Sequence, residues 1–367
     1  MDSSSAIAPT RLHVTMLGPT LRQKGGVAAV EEAIVRHAPP ELKIDHIVTH
    51  EEGSIARRLQ VFATGLKALT AQLGRGETDL VHIHFAERGS VFRKAIALSV
   101  VRRFGKPAIL HAHGSEFHTF YQNLAPVWRE AIARIFRQSS YLIVLSESWK
   151  TFYVEQLNLD PDQVIPIPNP VEIPPEVPDR RAQTTVNFLF LGRIGQRKGA
   201  FDAIEAFAAL PPDRRDRAAL TMAGDGEIER ARDRVSQLNL GDRITFPGWV
   251  DPVRRAQLLA EASVFVLPSY NEGLPMALLE SMSWQLPAIA TPVGGIAEVL
   301  TPNETGWLVT PGAIAELSAA MQQAIDNEPL RIRLGINARH RVQPLDVKTY
   351  CDRLHHLYRS ALESPSK

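Results

Sequence analysis

Short apolar runs alternate with helix-like segments over one half of the chain, and then do so again over the other half. This double alternation limits the possible folds more than any other feature. Residues 12–17, 46–48, 80–84, 108–112 and 141–145 form one set of apolar runs. Residues 186–191, 220–223, 243–246, 264–267, 287–290 and 306–309 form the other. Runs this short, apolar on both faces and separated by helical spacing, read as buried parallel strands joined by crossover helices. The crossovers are expected to be right-handed. At 367 residues the chain exceeds one ordinary core and suits two domains of about 150–180 residues each. The expectation is an α/β protein with two doubly wound, Rossmann-like domains.

Between the sets, residues 171–185 hold Pro174, Pro175 and Pro178 among charges, with no apolar period. They read as a linker. Residues 1–10, rich in serine, read as a disordered tail. That divides the chain into a first domain over 11–170, the linker over 171–185, and a second domain over 186–345. A last helix covers about 346–364. Helices are also expected over about 27–37, 313–327 and 329–341.

Composition excludes several classes. Net charge is +1, so nothing marks the chain as a nucleic-acid binder. Residues 1–170 carry 19 Lys and Arg against 16 Asp and Glu, and residues 171–367 carry 22 against 24. The single Cys351 rules out an internal disulfide framework. No secretory signal opens the chain, and no stretch reaches the ~18 apolar residues that span a bilayer. A cytoplasmic protein is expected. Arg57, Arg58, Lys67, Arg93, Lys94, Arg102, Arg103 and Lys106 share helix-like segments with Phe62, Leu66, Phe92 and Phe104. That pattern suits either a solvated helix face or a peripheral contact with an anionic membrane.

The candidate site residues cluster just after strands. Glu272 and Glu280 have seven residues between them and follow the run at 264–267. A helix opening near Pro275 would turn the segment Gly273, Leu274, Pro275 and Met276 toward a phosphate, with backbone donors from all but Pro275, which has no N–H. Glu272 would lie in the loop before it, and Glu280 about two turns in. Gly192, Arg193 and Lys198 follow the run at 186–191, and two cations there suit a diphosphate leaving group. Asp225 sits in a Gly-Asp-Gly turn after the run at 220–223.

In the first half, Gly25 and Gly26 follow the first strand and permit close backbone approach to a phosphate or sugar. His113 ends the run at 108–112 and can hydrogen-bond a sugar hydroxyl or, if protonated, support a diphosphate. His82, His84 and His111 lie on the same strands as His-x-His pairs. Four histidines could in principle hold a metal, but no Cys or carboxylate completes a ligand set. Satisfied buried histidines are expected, with no metal and no cofactor. Asp160 and Asp162 form the one Asp-x-Asp, in a setting that suits turn chemistry.

From the Gly25-Gly26 loop to the Gly294–Val299 turn, these segments resemble the retaining glycosyltransferases of family 4 (glycosyl transferases group 1), which have the GT-B fold. The resemblance implies two Rossmann-like domains facing each other across a deep cleft, with the last helix crossing back to the first domain. It implies transfer of a hexose-type sugar from a UDP- or GDP-linked donor to a glycan or polyprenyl-linked glycan, in cell-surface or exopolysaccharide biosynthesis, without metal. Arg193 and Lys198 would hold the donor diphosphate, Glu272 the donor sugar, Glu280 the ribose, Asp225 the base side, and His113 the sugar and phosphate region. Alternatives are a GT-B nucleotide-sugar 2-epimerase and a non-catalytic nucleotide-sugar-binding protein. Two positions depart from the family pattern, where Pro170 and Gln285 stand in place of glycine. The second puts the exit of the Glu280 helix in doubt.

Overall fold

A computed structural model describes residues 11–181 and 183–363. The tail expected at 1–10 lies outside the described residues. The chain divides into two compact units, one running up to Pro170 and resuming at Val347, the other spanning Val171–Asp346.

Six parallel strands build the first unit: β1 (Leu12–Pro19), β2 (Leu42–His50), β3 (Leu80–Phe85), β4 (Ala108–Ala112), β5 (Tyr141–Val144) and β6 (Val164–Pro166), in the order β2-β1-β3-β4-β5-β6. The second unit holds β7 (Val186–Leu191), β8 (Ala218–Ala223), β9 (Ile244–Gly248), β10 (Val264–Leu267), β11 (Ala288–Ala290) and β12 (Gly306–Leu308). Its strands are also parallel, in the order β12-β11-β10-β7-β8-β9. Both cores are built from these strands, with Leu17, Leu80, Ile83, Leu110, Phe188, Phe190, Phe265 and Val266 at 0–1% exposure. Burial on both faces is why the strands read as continuous apolar runs rather than alternating ones.

Strand order decides where ligands can sit. In a doubly wound sheet they bind beyond the carboxyl ends of the strands, where the order reverses. In the second unit that point falls between β7 and β10. In the first it falls between β1 and β3.

One segment differs from expectation. β6 is a three-residue edge strand inside the proline-rich stretch that closes the first unit. Proline is tolerated at an edge, where no further ladder bond is needed, and its presence hid the strand. The stretch at 171–185, expected as a linker, makes contacts of its own in its described part. Val171 bridges Asp346, and the buried Arg180 guanidinium donates to the carbonyls of Leu259 and Ala262 at 2.9 and 2.7 Å. Burial of that cation costs much less when its donors are satisfied.

The helix Met276–Ser283 stops in a left-handed turn despite lacking glycine. Gln285 takes φ 63°, the Gln285 N–H reaches the Met282 carbonyl, and the Leu286 N–H reaches that of Ser281, both at 3.0 Å. These are the two bonds of a Schellman ending. A side chain in this conformation costs roughly 1–2 kcal/mol that glycine avoids. Gln285→Gly is therefore expected to stabilise the protein by about 1 kcal/mol and raise the unfolding midpoint by roughly 2–4 °C. A midpoint that stays or falls would mean the Gln285 side chain contributes more than its backbone conformation costs.

Candidate active site

Three loops at the carboxyl ends of the second sheet are stitched together at its switch point. The loop after β7 meets the loop after β10 where the Tyr270 N–H donates to the Arg197 carbonyl at 2.9 Å. The Arg197 guanidinium donates to the Asn271 carbonyl at 3.2 Å. The loop after β11 joins through the Gly295 N–H on the Gly273 carbonyl at 2.6 Å and the Thr291 hydroxyl on that of Ser269 at 2.5 Å. Glycine is required at two crossings. At Gly199, with φ 68°, a Cβ would lie 2.0 Å from the Pro268 carbonyl oxygen, and at Gly294, with φ 57°, 2.0 Å from that of Glu272.

This stitching brings together charges that are far apart in sequence. Lys198 Nζ lies 2.5 Å from Glu272 Oε1, and the Ser269 hydroxyl donates to the same oxygen at 2.8 Å. Glu272 is 5% exposed. Arg193, two residues beyond β7, is exposed, and its side chain makes no ion pair or hydrogen bond among the described residues. Gly192 and Asp225 lie in adjacent turns, joined by the Ile194 N–H on the Asp225 carbonyl at 2.7 Å. Gly224 is close enough to Gly192 that a Cβ would collide with its carbonyl. Buried Gly273, Leu274 and Pro275 lead into the helix at Met276, whose first turn has no side-chain cap. Such an end favours an anion.

Glu280 is the fifth residue of that helix, just over one turn in rather than two. Its carboxylate receives the Arg255 guanidinium at 3.1 and 3.4 Å. Burial pushes its pKa up, and Arg255 pulls it back. Arg255 is a site neighbour that the sequence reading did not single out. It lies on a helix over Pro252–Glu261, remote in sequence from Glu280, so no local spacing announces the pairing.

In the first unit, Gly25 and Gly26 are exposed at the start of the helix Gly26–His37, with Gly25 at φ 150°. His113 follows β4, held by its N–H on the Phe85 carbonyl at 2.9 Å. The β3–β4 register sets His84 beside His111, and period-two alternation puts His82 on the face of His84. Four imidazoles are thereby gathered, with neighbouring ring centroids 4.1–5.1 Å apart along His82–His84–His113–His111. They are not all satisfied, contrary to expectation. His82 Nδ1 pairs with the Tyr358 hydroxyl and His84 Nδ1 with His113 Nε2, both at 2.8 Å. Both nitrogens of His111 and the Nε2 atoms of His82 and His84 have no partner. Strand pairing dictates the cluster, leaving few polar groups within reach of those nitrogens. Ligating atoms of His82, His84 and His111 lie within 4.8 Å of one another, wider than the ~3.3 Å that Zn–N bonds of about 2.0–2.1 Å require. Burial holds His82 and His113 down to about 3 and drives His84 and His111 well below the usual histidine range. The protonated form considered for His113 is therefore disfavoured.

The remaining expectations resolve locally. Asp160 Oδ1 accepts the Asp162 N–H at 3.0 Å, which is turn chemistry. Arg57, Arg58, Lys67, Phe92 and Phe104 are exposed, but Lys94 and Phe62 are buried. Lys94 donates to the Leu17 carbonyl at 3.0 Å and to the Thr49 hydroxyl. Its burial was legible, because Val91, Lys94, Leu98 and Val101 recur at helical spacing on one stripe.

Comparison with known proteins agrees with this architecture. Residues 13–173 match the family described as Glycosyltransferase Family 4, and residues 178–341 match Glycosyl transferases group 1. The chain belongs to the family 4 glycosyltransferases and has their GT-B fold, with two parallel six-stranded sheets flanked by helices. It is 27% identical over 317 residues to the UDP-Gal:alpha-D-GlcNAc-diphosphoundecaprenol alpha-1,3-galactosyltransferase of Escherichia coli, covering 80% of this chain and 78% of that protein. It is 30% identical to the lipopolysaccharide 1,6-galactosyltransferase of Escherichia coli K12 over 53% of this chain, spanning about half (54%) of that relative's length. Sucrose-phosphate synthase from Thermosynechococcus elongatus superposes with a TM-score of 0.77 at 21% identity, over 96% of this chain and 100% of that one.

Proposed function

We propose that the protein is a retaining, metal-independent hexosyltransferase that moves a sugar from a UDP-linked donor to a glycan or polyprenyl-linked glycan in polysaccharide biosynthesis. One observation carries the reading. At the switch point of the second sheet, Lys198 Nζ lies 2.5 Å from buried Glu272, on the loop after β7 that also carries Arg193 and just ahead of an uncapped helix start. A diphosphate entering there would meet two cations and backbone donors, while Glu272 stands ready for sugar hydroxyls. The UDP-linked donor and lipid-linked acceptor named for the Escherichia coli relative support the substrate classes.

In the step itself the bond from the anomeric carbon to the diphosphate oxygen breaks as the acceptor oxygen bonds to the same face. The acceptor hydroxyl proton passes to a diphosphate oxygen. Arg193 and Lys198 stabilise the charge that develops on the leaving group. Glu280 would accept the ribose hydroxyls and His113 would donate to a sugar or phosphate oxygen. Gly25 and Gly26 would let backbone approach the ligand, and Asp225 would border the base.

The test is thermal shift against UDP, GDP and ADP, followed by NMR of UDP-hexose incubated with enzyme alone. The expected result is stabilisation by UDP and slow release of sugar with its anomeric configuration retained. No shift with any nucleotide, or release with inversion, would overturn the reading. Conversion of the donor to its 2-epimer would favour the epimerase instead.

Metal independence has its own prediction. EDTA is expected to leave the rate within about twofold, because two cationic side chains, Lys198 and Arg193, are available to neutralise the diphosphate as a metal otherwise would. Loss of activity on chelation, restored by Mn²⁺ or Mg²⁺, would refute it.

We also place the protein at the cytoplasmic face of an anionic membrane. In the first unit Ile55 and Leu59 are 76% and 60% exposed beside Arg57 and Arg58, and Phe92 and Trp128 are exposed on neighbouring helices. Among the described residues no helix is long and apolar enough to cross a membrane. Sedimentation with vesicles containing phosphatidylserine, but not with neutral ones, would support the placement.

A further inference from the structure

Behind His113 lies a chain of buried polar groups that the transfer reaction does not explain. His113 Nε2 is 2.8 Å from His84 Nδ1. His84 Nδ1 is 3.7 Å from Glu31 Oε1, and Glu31 Oε2 is 2.9 Å from His46 Nε2. Glu31 and His84 are buried at 0% and 1% exposure, and Glu31 presses so closely on Gly18 that no Cβ could stand there. Tyr358, His82 and His111 close the far side, and Lys94 lies within electrostatic reach of Glu31 and His84.

We propose that His84 is a positioning residue for His113, donating its Nδ1–H to His113 Nε2 and so fixing His113 as the Nδ1–H tautomer, a neutral donor to an oxygen of the bound nucleotide sugar. The proposal rests on the reading of His113 as a group that faces the ligand.

Two physical facts set the direction of the bond. A carboxylate oxygen 3.7 Å from His84 Nδ1 is too far to accept a hydrogen bond, but its potential favours a proton on that nitrogen over a lone pair. The reverse arrangement would move the His84 proton to Nε2, which is buried and has no partner. A buried N–H without an acceptor is a costly state. With Nε2 engaged by His84, the tautomer that His113 adopts follows from its partner, as it does for histidines held by an outer group elsewhere. The burial that holds His113 down to about 3 keeps it a neutral donor throughout the working range, so its hydrogen bond does not fade as pH rises through 7.

Nitrogen NMR of the full-length protein labelled with ¹⁵N-histidine tests this, with His113 assigned by its loss in His113→Gln. The expected spectrum shows a neutral Nδ1–H tautomer for His113, unchanged between about pH 6 and 8.5. In His84→Leu the His113 tautomer is expected to shift to, or mix with, Nε2–H, and kcat is expected to fall about tenfold. His84→Asn, whose side-chain amide can place an N–H where Nδ1 stood, is expected to recover turnover to within about threefold of wild type.

A wild-type His113 protonated on Nε2, or an unchanged His113 tautomer in His84→Leu, would overturn the proposal. So would one equivalent of tightly held zinc with displaced Nε2 resonances of His82, His84 and His111, because the cluster would then be a metal site. A locked tautomer combined with wild-type turnover in His113→Ala would leave the bond in place but overturn the link from His113 to the ligand. The nucleotide thermal shifts test the donor site separately.

Discussion

Lys198→Ala and Arg193→Ala are each expected to lower turnover by roughly 10²–10³, the range for losing one preorganised donor to a developing charge. Their effects on stability should differ. Lys198 balances Glu272, which is 5% exposed and would otherwise keep only the Ser269 hydroxyl. Breaking a buried pair by removing one partner costs about 3–5 kcal/mol, so Lys198→Ala should also lower the unfolding midpoint, by roughly 6–20 °C. Arg193 is exposed, and its removal should leave the midpoint within about 2 °C. Steady-state rates and thermal melts on the two variants check both halves. Turnover within threefold of wild type in both would remove the diphosphate assignment, whatever the melts show.

The two glutamates should separate in a binding experiment. Glu280 is assigned to the ribose, a group common to donor and product, so Glu280→Ala is expected to weaken nucleoside diphosphate about tenfold. That corresponds to loss of one charged hydrogen bond of roughly 1.5 kcal/mol. Glu272 is assigned to the sugar, which the product nucleotide lacks. Glu272→Ala should therefore cut turnover at least tenfold while leaving product affinity undiminished, since it also releases Lys198 from its ion pair. Titration calorimetry with the product nucleotide resolves the difference. Equal weakening by both substitutions, or weakening confined to Glu272→Ala, would show that the roles are exchanged.

The raised pKa of Glu280 sets a pH dependence with a definite sign. Burial lifts it above its unfolded value, so between the two values the folded protein holds the extra proton. Stability from this group is greatest below the unfolded value and falls as pH rises through the folded one. Replacing Glu280 with Gln should flatten that part of a stability-against-pH curve.

Much of this molecule could be read along the chain. Apolar runs of strand length recur in two sets, because parallel strands buried on both faces must be apolar at nearly every position. Gly192, Lys198, Glu272 and the helix at Met276 could be placed just past strands, because strand ends and proline-opened helices carry local signatures. β6 escaped because its proline denied it a strand's signature, although an edge position tolerates one.

Tertiary structure alone decided the partners. Lys198 and Glu272 are 74 residues apart, and they meet because the strand order sets β7 against β10 at the switch point. The pairing of Arg255 with Glu280 depends on how two helices pack. His84 and His113 come together through the register of β3 and β4, and Glu31 reaches them from the helix Gly26–His37 that follows β1. Sequence spacing reports a residue's own backbone period, and long-range pairing is set by the order in which strands assemble into a sheet.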